Sequence, residues 1–122
     1  MMRIARDIGF EKEKEVAAYL KRLKYKILDT NFKTRFGEID IIAKQDDTIV
    51  FIEVKYRKSS FSGTPQESVT YSKQQKIIKS AIVYLKQNNI KNNIRFDVVG
   101  VLDKDIELIK SAFFIPEGLY YF

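Results

Sequence analysis

Gly37-Glu38-Ile39-Asp40-Ile41-Ile42-Ala43 and Ile49-Val50-Phe51-Ile52-Glu53-Val54-Lys55-Tyr56-Arg57 are two β-rich runs, joined by the polar segment Lys44-Gln45-Asp46-Asp47-Thr48. Apolar β-formers dominate both runs, and Asp40, Glu53 and Lys55 interrupt them. Side chains alternate between the faces of a strand, so Glu38 and Asp40 share one face of the first run, and Phe51, Glu53 and Lys55 share one face of the second. An antiparallel hairpin with Asp46-Asp47 at its tip brings Asp40 near Glu53 and Lys55. Isolated charges are costly to bury, so two carboxylates and an ammonium in such a place predict a metal, a ligand or tight mutual pairing.

Outside the hairpin, 122 residues predict one domain spanning 1–122, and 45% hydrophobic residues suit a globular chain. Cysteine and histidine are both absent. That excludes disulfides, thiolate or imidazole metal ligands, and histidine-based triads. Catalysis is left to carboxylates, lysines, tyrosines, hydroxyls or a hard cation bound through oxygen. A net charge of +6 favours polyanionic partners. The opening Met-Met-Arg-Ile-Ala-Arg-Asp has no signal-peptide pattern, and no run approaches the ~20 apolar residues of a membrane span. The expectation is a cytoplasmic protein with no membrane partner.

Helical periodicity predicts an amphipathic helix over Ile8–Lys24, with Phe10, Val16, Ala17, Leu20 and Leu23 in one stripe. Glu13 falls inside that stripe. It is either an edge acid that snorkels out or a third carboxylate aimed at the sheet. Tyr25–Phe32 reads as a strand and Asn31–Gly37 as a polar turn carrying Lys33 and Arg35. Arg57–Tyr71 reads as a loop: either a solvated surface, or a flap offering Arg57, Lys58 and Phe61 to a phosphate backbone. A second helix spans Ser72–Asn88, with Ser72 and Gln75 as a capping box and Ile77, Ile78, Ala81, Ile82 and Leu85 buried. Lys73, Gln74 and Lys76 crowd its first turn. Positive charge there opposes the helix dipole, so these residues are either solubilising or hold a phosphate. Ile94–Leu102 and Ile106–Phe114 are strands around an Asp103-Lys104-Asp105 turn. The aromatic tail Leu119-Tyr120-Tyr121-Phe122 is expected to pack on the domain or on a second subunit. The order α-β-β-β-α-β-β predicts a mixed central sheet flanked by helices.

Carboxylates from two adjacent strands make a hard-oxygen site suited to Mg²⁺ or Mn²⁺, and Lys55 is placed to stabilise charge developing on phosphorus. The alternative is a structural Asp-Lys-Glu network tying strands together.

Asp40 followed by Glu53-Val54-Lys55 resembles the PD-(D/E)xK nuclease signature, and is similar to archaeal Holliday-junction resolvases and the wider restriction-endonuclease-like group. Gly9–Glu13, Tyr19-Leu20, Tyr25, Asn31, Gly37-Glu38-Ile39-Asp40, Phe51–Lys55, Lys73-Gln74 and Arg95–Val99 together resemble the YraN-like family of small bacterial proteins, over nearly the whole chain. The resemblance implies a restriction-endonuclease-like α/β fold and a nuclease acting on DNA, branched or damaged DNA included. It implies metal binding by Asp40 and Glu53 with the Val54 carbonyl as a third ligand, a helix glutamate at Glu13, a catalytic Lys55 and a homodimer. The signature's proline is replaced by Ile39. Two other functions compete: a nucleic-acid-binding module without turnover, and an interaction subunit whose charges are structural.

Overall fold

A computed structural model describes residues 5–57 and 63–116, with side chains from Glu13 onward. Lys58, Phe61 and the aromatic tail, together with the Phe10 side chain, lie outside the described residues. The elements among the described residues are α1 (Ala5–Arg22), β1 (Lys26–Thr34), β2 (Gly37–Gln45), β3 (Thr48–Arg57), α2 (Tyr71–Gln87), β4 (Ile94–Leu102) and β5 (Asp105–Phe113), with a 3-10 turn at Gln66–Ser68. This is the predicted order α-β-β-β-α-β-β. The five strands lie in the sheet in sequence order. All neighbours are antiparallel except β3 and β4, whose parallel pairing runs from Ile49–Ile94 to Arg57–Leu102 and needs α2 as its crossover.

Each sheet face carries its own core. Val16 and Leu20 of α1 pack with Tyr25, Ile41, Ala43, Val50, Ile52, Val54, Val99 and Val101. On the other face Ile77, Ile78, Ala81, Tyr84 and Leu85 of α2 pack with Ile42, Ile49, Phe51, Phe96, Val98 and Phe113. The central strands β3 and β4 are therefore apolar on both faces, while β1, an edge strand, is mostly exposed. Within the predicted stripes, Leu23 is exposed, and Ser80 and Tyr84 join the buried face of α2. No helix among the described residues is long and apolar enough to cross a membrane.

Both helices stop in the same way. Lys24 and Asn89 adopt positive φ of 70° and 51°. The amides of Tyr25 and Ile90 then reach back to the carbonyls of Leu20 and Leu85, a Schellman closure that satisfies orphan carbonyls. The start of α2 differs from the capping box expected at Ser72: Thr70 is the N-cap, its hydroxyl accepting from the Lys73 amide. The strand β1 also runs on to Thr34, so the predicted Asn31–Gly37 turn shrinks to Arg35-Phe36 between the paired Thr34 and Gly37. The Thr34 hydroxyl accounts for this, because it accepts from the Phe36 amide and bonds the buried Ser80 hydroxyl of α2 at 2.7 Å.

Closure at Lys24 delivers Tyr25 into the core, where it meets a buried charge. Asp97 on β4 is 0% exposed. Its carboxylate accepts from Arg95 Nε at 2.8 Å, from another Arg95 guanidinium nitrogen at 2.9 Å, from the Tyr25 hydroxyl at 3.0 Å and from the Ser111 amide at 3.0 Å. Arg95 also donates to Gln45. Ser111 has a φ of 53° and lies where the β4–β5 register slips between Phe96 and Val98, so Asp97 also holds a β-bulge in place. Burial, and next the Asp97 charge, push the Tyr25 hydroxyl pKa up, which keeps it a neutral donor.

Removing one partner of a buried ion pair leaves an uncompensated charge. Asp97→Ala is therefore expected to cost on the order of 3–5 kcal/mol, and Tyr25→Phe about 1–2 kcal/mol. Urea denaturation of the two variants checks the ranking, and equal losses would contradict it.

Candidate functional site

The β2–β3 pairing is regular from Gln45–Thr48 to Ile41–Ile52. Beyond that point the Val54 amide donates to Asp40 Oδ2 at 2.8 Å. A side chain has replaced the partner strand, and the hairpin opens around it. Glu53 lies alongside: it is within hydrogen-bonding reach of Asp40, and its charge raises the Asp40 pKa. Strand alternation keeps Glu53 on the face of Phe51, the side covered by α2.

The electrostatics are those of two acids with little water. Glu53 is 5% exposed. Burial, and then the hydrogen bond and charge of Glu53, push the Asp40 carboxyl from its ordinary 3.8 up to about 8, against the opposing pull of the Val54 amide and Lys73. The ammonium that reaches the acids belongs to Lys73, in the first turn of α2. It stands 3.4 Å from Glu53 Oε2. That is an ion-pair separation without directed geometry, so the buried Oε2 makes no hydrogen bond. Lys73 thus has a partner within the chain that offsets its unfavourable position in the helix dipole.

The other sequence-derived candidates fall in several places. Lys55 follows Glu53 on the same strand face and is half-buried. Glu13 accepts from Asn31 Nδ2 at 3.3 Å, and its charge acts with that of Asp40 on Tyr56. Among the described residues no three carboxylates converge as a metal cluster. Arg57 donates to the Gly63 carbonyl and so ties the two ends of the 58–62 segment together. Gln74 spends its side-chain amide on the Val69 carbonyl. Lys33 is exposed on β1, opposite Glu38 in the register. Arg35 lies over the Phe36 ring. Lys76 is exposed, and its Cβ lies 3.5 Å from where a Cβ on Gly37 would project.

Tyr56 escaped the sequence reading. Burial, then the charges of Glu13, Asp40 and Glu15, push its hydroxyl up to about 12. It is the residue that senses both the α1 acids and Asp40, and its place directly after Glu53-Val54-Lys55 was the available signal.

The donor set fits a hard divalent cation. Two carboxylates converge, one of them with a buried oxygen that makes no hydrogen bond. Magnesium is usually held by one or two carboxylates and keeps waters for a phosphate to replace. The cavities of about 550 and 420 Å³ lie elsewhere: one around Thr48, Ile94 and Phe113 at the opposite end of β3, the other between Phe36 and the outer face of α2. Neither is lined by Asp40, Glu53 or Lys55.

Residues 12–101 match the family described as "Uncharacterised protein family UPF0102". A UPF0102 protein of Thermodesulfovibrio yellowstonii is 50% identical over 108 residues, covering 88% of this chain and 96% of the relative. One from Vibrio parahaemolyticus is 47% identical over 117 residues, covering 93% and 95%. One from Persephonella marina is 44% identical over 106 residues, covering 86% and 91%. With the match spanning most of its length, the chain belongs to UPF0102, the YraN-like family of uncharacterised proteins.

Proposed function

We propose that this protein is a metal-dependent nuclease of the PD-(D/E)xK type that hydrolyses phosphodiester bonds in DNA, branched or damaged DNA among its substrates. One observation carries the reading: Asp40 and Glu53 meet where β2 and β3 part, and a buried Glu53 oxygen there makes no hydrogen bond. Asp40 and Glu53 would hold Mg²⁺ or Mn²⁺, with the Val54 carbonyl as a further ligand. When bound, the ion supplies Lewis acidity and an acidified water. Asp40 is aimed by the Val54 amide, so its free lone pairs have a fixed direction. Lys55 stabilises charge developing on the phosphate oxygens and orients the attacking water. Lys33, Arg35, Lys58, Lys76 and Arg57 supply positive field along the polymer, consistent with a net charge of +6. A homodimer and a cytoplasmic location belong to the same proposal.

A catalytically silent nucleic-acid-binding protein is the second reading. It is favoured by Lys73, which already neutralises Glu53 without any metal. The two readings separate in one assay. Duplex, single-stranded and branched DNA are incubated with the protein in Mg²⁺ or Mn²⁺, beside Asp40→Ala. The nuclease reading expects metal-dependent products that fall by about a hundredfold or more in the variant, since even an outer-shell partner of a metal ligand is worth about 10–100-fold. Salt-sensitive binding without products favours the silent module, and cleavage surviving in Asp40→Ala rules out this site.

The Asp40 carboxyl also sets a pH dependence. Its folded value of about 8 lies above its ordinary 3.8, so the folded state binds the extra proton. Stability from this group is complete below pH ~4 and is lost progressively as pH rises to ~8. Asp40→Asn, which cannot ionise, should therefore gain stability over the wild type across that window in metal-free buffer. The gain expected is on the order of 2 kcal/mol, read from thermal melts. Because only the ionised carboxyl holds a cation, the rise in melting midpoint caused by Mn²⁺ should grow over the same window. A midpoint shift independent of pH would contradict both expectations.

A further inference from the structure

Lys73 and Glu53 are unequal partners. Glu53 is 5% exposed and fixed within β3, whereas the Lys73 side chain is 41% exposed. The lysine ends a flexible four-carbon stem and gains hydration on leaving. The carboxylate has no such exit. The contact between them lacks hydrogen-bond geometry, and the oxygen it covers makes no hydrogen bond with any group. One ammonium from the first turn of α2 thus stands against the buried carboxylate.

The geometry points to Lys73 as a displaceable counter-cation: it neutralises Glu53 until a divalent cation takes its place, and then turns outward beside Lys76. This inference rests on the metal-dependent reading of the site and adds a regulatory step to it. Metal–oxygen distances near 2.1 Å and the 3.4 Å ammonium contact cannot share Glu53 Oε2 without strong repulsion between the two cations. Lys55 stays out of the exchange, because among the described residues the ion pair to Glu53 is made by Lys73. The α2 N-terminus is thus a cation gate: metal loading costs one ion pair and releases one positive charge toward solvent.

Mn²⁺ affinity of the full chain, measured by electron paramagnetic resonance of the free ion, tests the exchange. Lys73→Met keeps the apolar stem and removes the charge. It is expected to bind Mn²⁺ roughly two- to fivefold more tightly than wild type, the factor corresponding to loss of one competing ion pair. Wild-type affinity retained or weakened in Lys73→Met overturns the gate and leaves the metal site standing. Absence of Mn²⁺ binding in both proteins overturns the metal reading and the gate together. A second measurement needs no variant. Nuclear magnetic resonance of the wild-type chain during Mg²⁺ titration should move the Lys73 Cε and Glu53 Cδ signals at one common midpoint. A Glu53 signal that shifts while Lys73 stays unmoved would overturn the exchange even if Lys73→Met fails to fold.

Discussion

Two carboxyl groups cannot share a buried space uncompensated, and Asp40 with Glu53 imposes that constraint on the whole hairpin end. Like charges this close require a proton, an ammonium or a metal ion between them. Two of these solutions are visible. The Asp40 carboxyl is pushed up to about 8, and Lys73 stands against Glu53. The arrangement also explains the backbone. Regular pairing of β2 and β3 stops at Ile41–Ile52, and the Val54 amide turns to the Asp40 carboxylate. The strands part because a side chain has taken over a ladder hydrogen bond.

The chain contains a second buried acid, and the contrast is informative. Asp97 is surrounded by an arginine, a tyrosine hydroxyl and a backbone amide, all at 2.8–3.0 Å. Every strong acceptor direction is used, as expected of a charge retained for structure. Glu53 is nearly as deeply buried, but its Oε2 makes no hydrogen bond and its cation stands off at 3.4 Å. A saturated charge locks β4, the β5 bulge and Tyr25 into one unit. An unsaturated one keeps capacity for a cation. Burial is common to both acids, and what separates them is acceptor capacity: spent at Asp97 and unspent at Glu53 Oε2.

Strand alternation carried most of the fold. The hairpin, the flanking strands and both helices follow from β-branched runs and from stripes of Val, Leu and Ile at helical spacing. What alternation could not carry was identity across elements. Lys73 reads as a surface cation because periodicity says only that it leaves the buried face of α2. That its stem reaches Glu53 depends on where α2 crosses the sheet. Glu13 reads as inward because it falls in the apolar stripe, but periodicity could not name its partner, Asn31 of β1. Asp97 was legible in part, since Arg95 two residues earlier shares its strand face and can pair with it. Tyr25 was not, because its approach depends on the left-handed turn at Lys24, a residue with no glycine-like preference for it.

Topology explains why the site lies at this end of the sheet. Among the described strands β3 and β4 are the only parallel neighbours, so the chain must leave the end of β3, cross above the sheet and return through α2. The N-terminal turn of α2 consequently lies over the end of β3 that carries Glu53 and Lys55, and the oriented amides there add positive potential to Lys73. The return path is held tightly. Pro65 packs so closely on Gly100 of β4 that a Cβ there would fall 2.3 Å from the proline ring. Arg57 closes the base of the intervening segment through Gly63. These contacts fix where α2 begins, and hence how far Lys73 reaches. A side chain at Gly100 would displace Pro65 and the start of the helix with it, changing the charge balance at Glu53 without touching either acid.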